Sequence, residues 1–88
     1  MADAYVYLLR CGDGSLYAGA AKDLARRLAE HLAGKASRYT RTRLPVELVW
    51  SLQVESWGDA LREEFRLKQL SRAEKDDLLR AGAPPPAV

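Results

Sequence analysis

Two short apolar runs near the start of the chain flank a cluster of turn residues. Residues 5–9 are aromatic and β-branched or aliphatic, Asp13-Gly14 lies in the turn, and a second run follows at residues 16–19. Such runs around an Asp-Gly turn predict a β-hairpin. Because an isolated hairpin is only marginally stable in water, the remaining chain must supply at least one more strand and covering helices.

The segment after the hairpin has helical periodicity. Its apolar stripe consists of Leu24, Leu28 and Leu32. Asp23 is suited to begin this helix and Gly34 to end it, so we predict a helix over residues 23–33. Residues 35–44 have no clean period, and we predict a loop or a helical turn there.

The second half of the chain contains signals for one strand and two helices. Residues 46–52 alternate apolar and polar side chains and predict a strand. Ser56 is suited to cap a helix that runs to residue 70, and Ser71 to cap a last helix that ends at Gly82. Each serine is followed three residues later by an acid, the pattern of a capping box.

The order β-β-α-β-α-α predicts an α+β fold, a small three-stranded antiparallel sheet flanked by helices. The 88 residues leave room for one domain, which we place at residues 4–82. Residues 83–88, with three consecutive prolines, are expected to be a disordered tail.

Composition excludes several classes of protein. The single cysteine, Cys11, cannot form an internal disulfide, and with the single His31 it cannot form a Cys/His zinc site. No apolar run approaches the roughly 20 residues of a membrane span, and the first residues lack the basic start of a signal peptide. We therefore expect a cytoplasmic protein with no membrane partner.

The net charge of +2 is unevenly distributed along the chain. Residues 22–43 carry seven Lys or Arg against two acids. A local basic segment in a nearly neutral chain predicts a surface that faces a polyanion. A solvated helix face and loop explain the same charges equally well.

Three polar positions are unusual for their elements. Arg27 and His31 lie one helical turn apart at the edge of the apolar stripe. Either both side chains converge on a functional site, or Arg27 is a snorkelling surface arginine and His31 is a histidine at the boundary of the core. Glu64 falls within the apolar arc of its helix, where a carboxylate needs a partner. A salt bridge to Lys68, an ion pair with Arg27 or a divalent cation could each supply that partner.

The hairpin tyrosines are the last candidates. Tyr5 and Tyr7 share one face of their strand, and Tyr17 lies on the partner strand. Cross-strand aromatic pairs are ordinary stabilisers of hairpins, so function is suggested only by their occurrence together with the other polar candidates.

These residues together resemble the GIY-YIG endonuclease superfamily. Tyr5-Val6-Tyr7 and Tyr17-Ala18-Gly19 are similar to the two tripeptides that name it, and Arg27, His31 and Glu64 stand at the spacing of its functional residues. Residues 37–41 and 44–46 are similar to its small stand-alone bacterial branch. The resemblance covers residues 5–79.

The resemblance implies an enzyme that hydrolyses phosphodiester bonds in DNA with Mg²⁺ or Mn²⁺. It also points to a role in DNA repair or processing. Glu64 would hold the metal, and Arg27 would bind the non-bridging phosphate oxygens. Tyr7, Tyr17 and His31 would position or deprotonate the attacking water. The remaining candidates would contact nucleic acid, DNA in preference to RNA: Lys35, Arg38, Tyr39, Arg41 and Arg43.

The sequence also departs from the family pattern. Tyr5 replaces the first glycine, Ala18 stands where Ile is usual, and the chain contains no asparagine, although several members use a late one. The resemblance therefore also allows weak activity or dependence on a protein partner for targeting. Two alternatives stay open: a non-catalytic nucleic-acid-binding module on the same fold, and a protein-interaction domain whose polar cluster is structural.

Overall fold

The computed structural model describes residues 4–82, so the tail predicted at 83–88 lies outside the described residues. The elements in chain order are β1 Ala4–Arg10, β2 Leu16–Ala21, α1 Leu24–Leu32, α2 Arg38–Arg41, β3 Glu47–Val54, α3 Trp57–Gln69 and α4 Arg72–Ala81. The predicted α+β order is confirmed, and α2 is a single helical turn within the segment predicted as loop or turn. None of the helices in residues 4–82 is both long and apolar enough to cross a membrane.

The three strands form one antiparallel sheet in the order β2-β1-β3. The predicted hairpin joins β1 to β2 with Tyr7 opposite Gly19. Strand β3 begins one residue later and ends two residues later than predicted, because Gln53 and Val54 still pair with the start of β1. A bulge interrupts the β1–β3 register between Leu8 and Leu9.

Alternation along β1 divides the apolar residues between two sides of the sheet. Val6 and Leu8 pack with Ala60 and Leu67 of α3 on one side. On the other side, Tyr7 and Leu9 pack with Leu24 of α1, among others. The sheet is therefore covered on both faces, and Tyr7 points to the α1 face.

The predicted helix starts are confirmed at the caps. Asp23 accepts a hydrogen bond from the backbone N–H of Arg26 at 3.1 Å. Ser71 and Glu74 form a reciprocal capping box at the start of α4. Ser56 caps α3, but the following acid, Asp59, pairs with Arg62 instead of completing a box.

The apolar stripe predicted for α1 is wrong at its last position. Leu32 is exposed, whereas His31 is 1% exposed and belongs to the buried face with Leu24. The reading of His31 as a boundary histidine is therefore wrong as well. An imidazole is buried in place of a leucine because both of its ring nitrogens find hydrogen-bond partners in the fold.

Candidate active site

Gly19 leaves the space that the phenol of Tyr7 occupies in the site. Gly19 lies opposite Tyr7 in the sheet, and a Cβ added to it would overlap the Tyr7 hydroxyl and ring. The phenol therefore extends across β2, which is an edge strand. Because Gly19 has no side chain, the Tyr7 phenol lies over it, and Tyr7 as a whole is only 2% exposed.

His31, near the end of α1, is hydrogen-bonded to the Tyr7 hydroxyl. Its Nε2 lies 2.9 Å from Tyr7 Oη, and its Nδ1 lies 2.9 Å from Thr40 Oγ1 on α2. Burial, followed by the charge of Arg27, lowers the pKa of His31. Burial is also the largest cause that raises the pKa of Tyr7. Tyr7 and His31 therefore form a neutral, hydrogen-bonded pair at neutral pH.

Arg27 lies one turn before His31 on α1 and is half-exposed. Its guanidinium is 3.6 Å from Glu30, and its positive charge lowers the pKa of both Tyr7 and His31. Arg27 therefore lies close enough to both side chains to act on them electrostatically. The Arg27 guanidinium keeps an exposed side that can accept an anionic ligand.

Glu64 lies on α3 with only 21% of its side chain exposed. Of the partners considered for it, the salt bridge to Lys68 is present at 3.3 Å, whereas Arg27 pairs with Glu30 instead. The negative charge of Glu64 raises the pKa of Tyr7, so the carboxylate acts on the same phenol as Arg27 does.

The donor set at Glu64 restricts how a metal could bind. Within residues 4–82, no three His, Cys, Asp or Glu side chains converge as a metal site. Mg²⁺ is commonly held by one or two carboxylates together with water and substrate phosphate oxygens, and does not require an all-protein cage. Glu64 fits that mode of binding.

Tyr17 borders the pair from the neighbouring strand. Its ring meets the His31 ring edge-on at 5.4 Å between centroids and stacks against Tyr39 at 5.8 Å. The Arg43 guanidinium lies 3.9 Å from the Tyr39 ring centroid and bonds to Asp13 at 3.0 Å. Tyr39 and Arg43 therefore pack against one another beside the site, and both side chains keep an exposed part.

The other predicted nucleic-acid contacts are arranged differently. Lys35, Arg38 and Arg41 line one surface cleft together with Gly34 and Ser37. Among the described residues these three cations form no salt bridge, in contrast to Arg43. All three side chains are exposed, so they can meet an external polyanion.

Thr40 is the residue of this site that sequence reasoning missed. It is completely buried and holds the second nitrogen of His31. A threonine inside a polar, basic segment gives no local signal of burial. Its role depends on the packing of α2 against α1, which periodicity does not report.

Comparison with known proteins identifies the class to which this fold and site belong. The family model described as the GIY-YIG catalytic domain matches residues 3–77. The chain therefore belongs to the GIY-YIG family, as the two tripeptides predicted. At the level of the superfamily, this domain is of the nuclease type.

Within that class the chain is similar to small proteins named UPF0213. It is 47% identical to one from Halobacterium salinarum over 84% of this chain and 96% of the relative. It is 40% identical to one from Staphylococcus saprophyticus, over 89% and 95% of the two chains. The solution NMR structure of a UPF0213 protein from Bacillus halodurans matches with a TM-score of 0.59 and 42% identity, covering 89% of this chain and 83% of that one.

Proposed function

We propose that this chain is an endonuclease that hydrolyses phosphodiester bonds in DNA with the help of Mg²⁺ or Mn²⁺. The observation that carries the proposal is the buried Tyr7–His31 hydrogen bond, on which the charges of Arg27 and Glu64 both act. Membership of the GIY-YIG family supports a nuclease-type reaction.

In the proposed reaction Tyr7 is the group that meets the attacking water. A free phenol has a pKa of about 10, and burial raises that of Tyr7 further, so the tyrosinate is not available beforehand. The Tyr7 proton would pass to His31 Nε2, 2.9 Å away, as water gives its own proton to the phenol oxygen. The resulting hydroxide would attack phosphorus as the bond to the leaving oxygen breaks; the leaving oxygen would take a proton from solvent water, and His31 would release to solvent the proton that it received.

Two charged side chains would act on the phosphate, Arg27 directly and Glu64 through the metal that it would hold. Arg27 would bind the non-bridging oxygens and offset the negative charge that develops on them. Glu64 would hold the divalent cation, which supplies Lewis-acid stabilisation of the phosphate and the leaving oxygen when bound. Tyr17 would orient the reacting groups through its contact with the His31 ring.

Substrate binding would rest on the cleft lined by Lys35, Arg38 and Arg41. Contacts of these cations with the backbone of DNA position the substrate but do not read its sequence. Targeting to particular sites, in repair or other DNA processing, would then require a protein partner or a feature of DNA shape.

A cleavage assay with a matched pair of variants tests the proposal. Labelled single-stranded, duplex and branched DNA would be incubated with Mg²⁺, Mn²⁺ or EDTA. We expect metal-dependent cleavage by the wild type, loss of cleavage in Glu64→Ala, and near wild-type cleavage in Glu63→Ala. Glu63 is the control because it pairs with Arg66 and lies on another side of α3.

Three outcomes contradict the proposal. Equal cleavage by wild type and Glu64→Ala would place the metal ligand elsewhere. Equal loss of cleavage in folded Glu63→Ala and folded Glu64→Ala would show that Glu64 has no specific role. DNA binding by folded protein without cleavage under any metal would favour the non-catalytic binding module.

A further inference from the structure

The two hydrogen bonds of His31 depend on which of its ring nitrogens carries the hydrogen. Its imidazole is buried, and each nitrogen has one hydroxyl partner: Tyr7 Oη at Nε2 and Thr40 Oγ1 at Nδ1. A neutral imidazole has one N–H and one lone pair, so it donates to one hydroxyl and accepts from the other. Only one arrangement leaves the Nε2 lone pair facing the Tyr7 proton.

The surroundings of Thr40 favour that arrangement. Besides His31, the Thr40 hydroxyl has the Ser37 carbonyl oxygen at 3.5 Å, and a carbonyl can only accept. When Thr40 donates to Ser37, its oxygen lone pairs face His31 and Nδ1 carries the hydrogen. Nε2 then accepts the hydrogen bond from Tyr7. The opposite tautomer would leave the buried Tyr7 O–H, whose partner in the described part of the chain is His31 Nε2, without an acceptor.

We propose that Thr40 is a positioning residue that holds His31 as the Nδ1–H tautomer and thereby aims the Nε2 lone pair at Tyr7. Its hydroxyl acts through His31 and does not touch substrate, because Thr40 is completely buried. The catalytic consequence rests on the proposed function, in which Nε2 accepts the Tyr7 proton. The tautomer itself is a property of the folded chain and does not rest on it.

The position of Thr40 is fixed by the short helix that carries it. Ser37 caps α2 by accepting from the backbone N–H groups of Tyr39 and Thr40. The Tyr39 ring stacks on Tyr17, and Arg43 joins the end of this segment to Asp13 of the hairpin turn. These contacts hold the Thr40 hydroxyl opposite Nδ1 of His31.

Nitrogen-15 NMR of the imidazole tests the proposal without any assay of activity. His31 is the only histidine in the chain, so its two ring nitrogens are assigned without ambiguity in uniformly labelled protein. We expect the wild type at neutral pH to show Nδ1 as the protonated nitrogen and Nε2 as the acceptor. Nε2–H as the main tautomer of the wild type would overturn the proposal.

Two variants separate the hydroxyl from the shape of the side chain. Thr40→Val removes the hydroxyl at nearly constant volume, and Thr40→Ser keeps it. We expect Thr40→Val to lose the single tautomer and Thr40→Ser to retain it. An unchanged Nδ1–H tautomer in Thr40→Val would overturn the proposal; if that variant does not fold, Thr40→Ala replaces it.

Kinetics then test the catalytic consequence. Partners that orient metal-ligating histidines contribute roughly 10- to 100-fold to activity, and we expect an effect of that order here, on kcat of Thr40→Val with KM unchanged. Thr40→Ser should retain most of kcat. A changed tautomer with unchanged kcat would overturn the catalytic role. A wild type that never cleaves would refute the proposed function, while the spectra still decide the tautomer.

Discussion

Gly19→Ala is the substitution whose effect follows most directly from the structure. The added methyl would overlap the hydroxyl and ring of Tyr7, which is 2% exposed and tied to His31. Overpacking of a core costs roughly 1–3 kcal/mol, and loss of the Tyr7–His31 hydrogen bond adds about 1 kcal/mol. In a domain of this size each kcal/mol lowers Tm by roughly 4–8 °C, so we expect a fall of at least about 8 °C.

Thermal and urea unfolding measure this effect, with Gly58→Ala as the matched control. Gly58 lies in α3, and its added Cβ would meet nothing closer than 3.6 Å. Alanine is more stable than glycine by roughly 0.5–1 kcal/mol in a helix interior and by less in the first turn, where Gly58 lies, so the same substitution should leave stability unchanged or slightly higher there. Cleavage, assayed at a temperature where both variants are folded, should fall only in Gly19→Ala.

The reasoning would be refuted if Gly19→Ala were as stable and as active as the wild type. Such a result would mean that Tyr7 can move away from its position over β2 without a loss of stability or activity. It would also remove the structural reason for a glycine at this position. A stability loss without any loss of cleavage would show that the placement of the Tyr7 hydroxyl does not matter for the reaction.

Three further predictions concern the pair and the basic cleft. Tyr7→Phe should lower stability by about 1 kcal/mol in urea unfolding and lower kcat roughly 10²- to 10⁴-fold; wild-type kcat would exclude Tyr7 from proton transfer. The pKa of His31 is lowered in the folded state, so its contribution to stability is fully present above the unfolded pKa of about 6.5 and is lost as pH falls through the folded value. The free energy of unfolding measured in urea should therefore fall between pH 7.5 and 5, and it should fall less in His31→Gln. The same fall in the wild type and in His31→Gln would contradict this prediction. Replacing Arg38 and Arg41 by Gln should each reduce the salt slope of DNA binding by about one, whereas Arg43→Gln should mainly lower Tm, because Arg43 is paired and stacked within the fold. Salt titrations with equal slopes for all three variants would contradict this division.

Local signals in the sequence were sufficient for most of the fold. Hairpin, helix starts and the third strand were predicted because turn chemistry, caps and periodicity act over a few residues. The same local geometry placed Glu64 within an apolar arc and Arg27 beside His31. The spacing of the two tripeptides and these polar residues identified the family, which the family model confirms.

The division among the basic residues could not be predicted in the same way. Lys35, Arg38, Arg41 and Arg43 look equivalent as a charge run. Arg43 is set apart by Asp13, thirty residues earlier, and by the Tyr39 ring. Local periodicity does not report a contact between residues thirty positions apart. Only the folded chain therefore distinguishes Arg43, which is paired and stacked, from the cations of the cleft.

The sequence by itself determined the elements, their order and the family, because these depend on interactions between near neighbours and on motif spacing. Only the tertiary structure decided that His31 is buried, that Gly19 gives the Tyr7 phenol its room, and that Thr40 faces Nδ1 of His31. The two hydrogen bonds of His31 join residues 24 and 9 positions apart. Their geometry is set by the packing of α1 and α2 beside the hairpin, which no single element specifies.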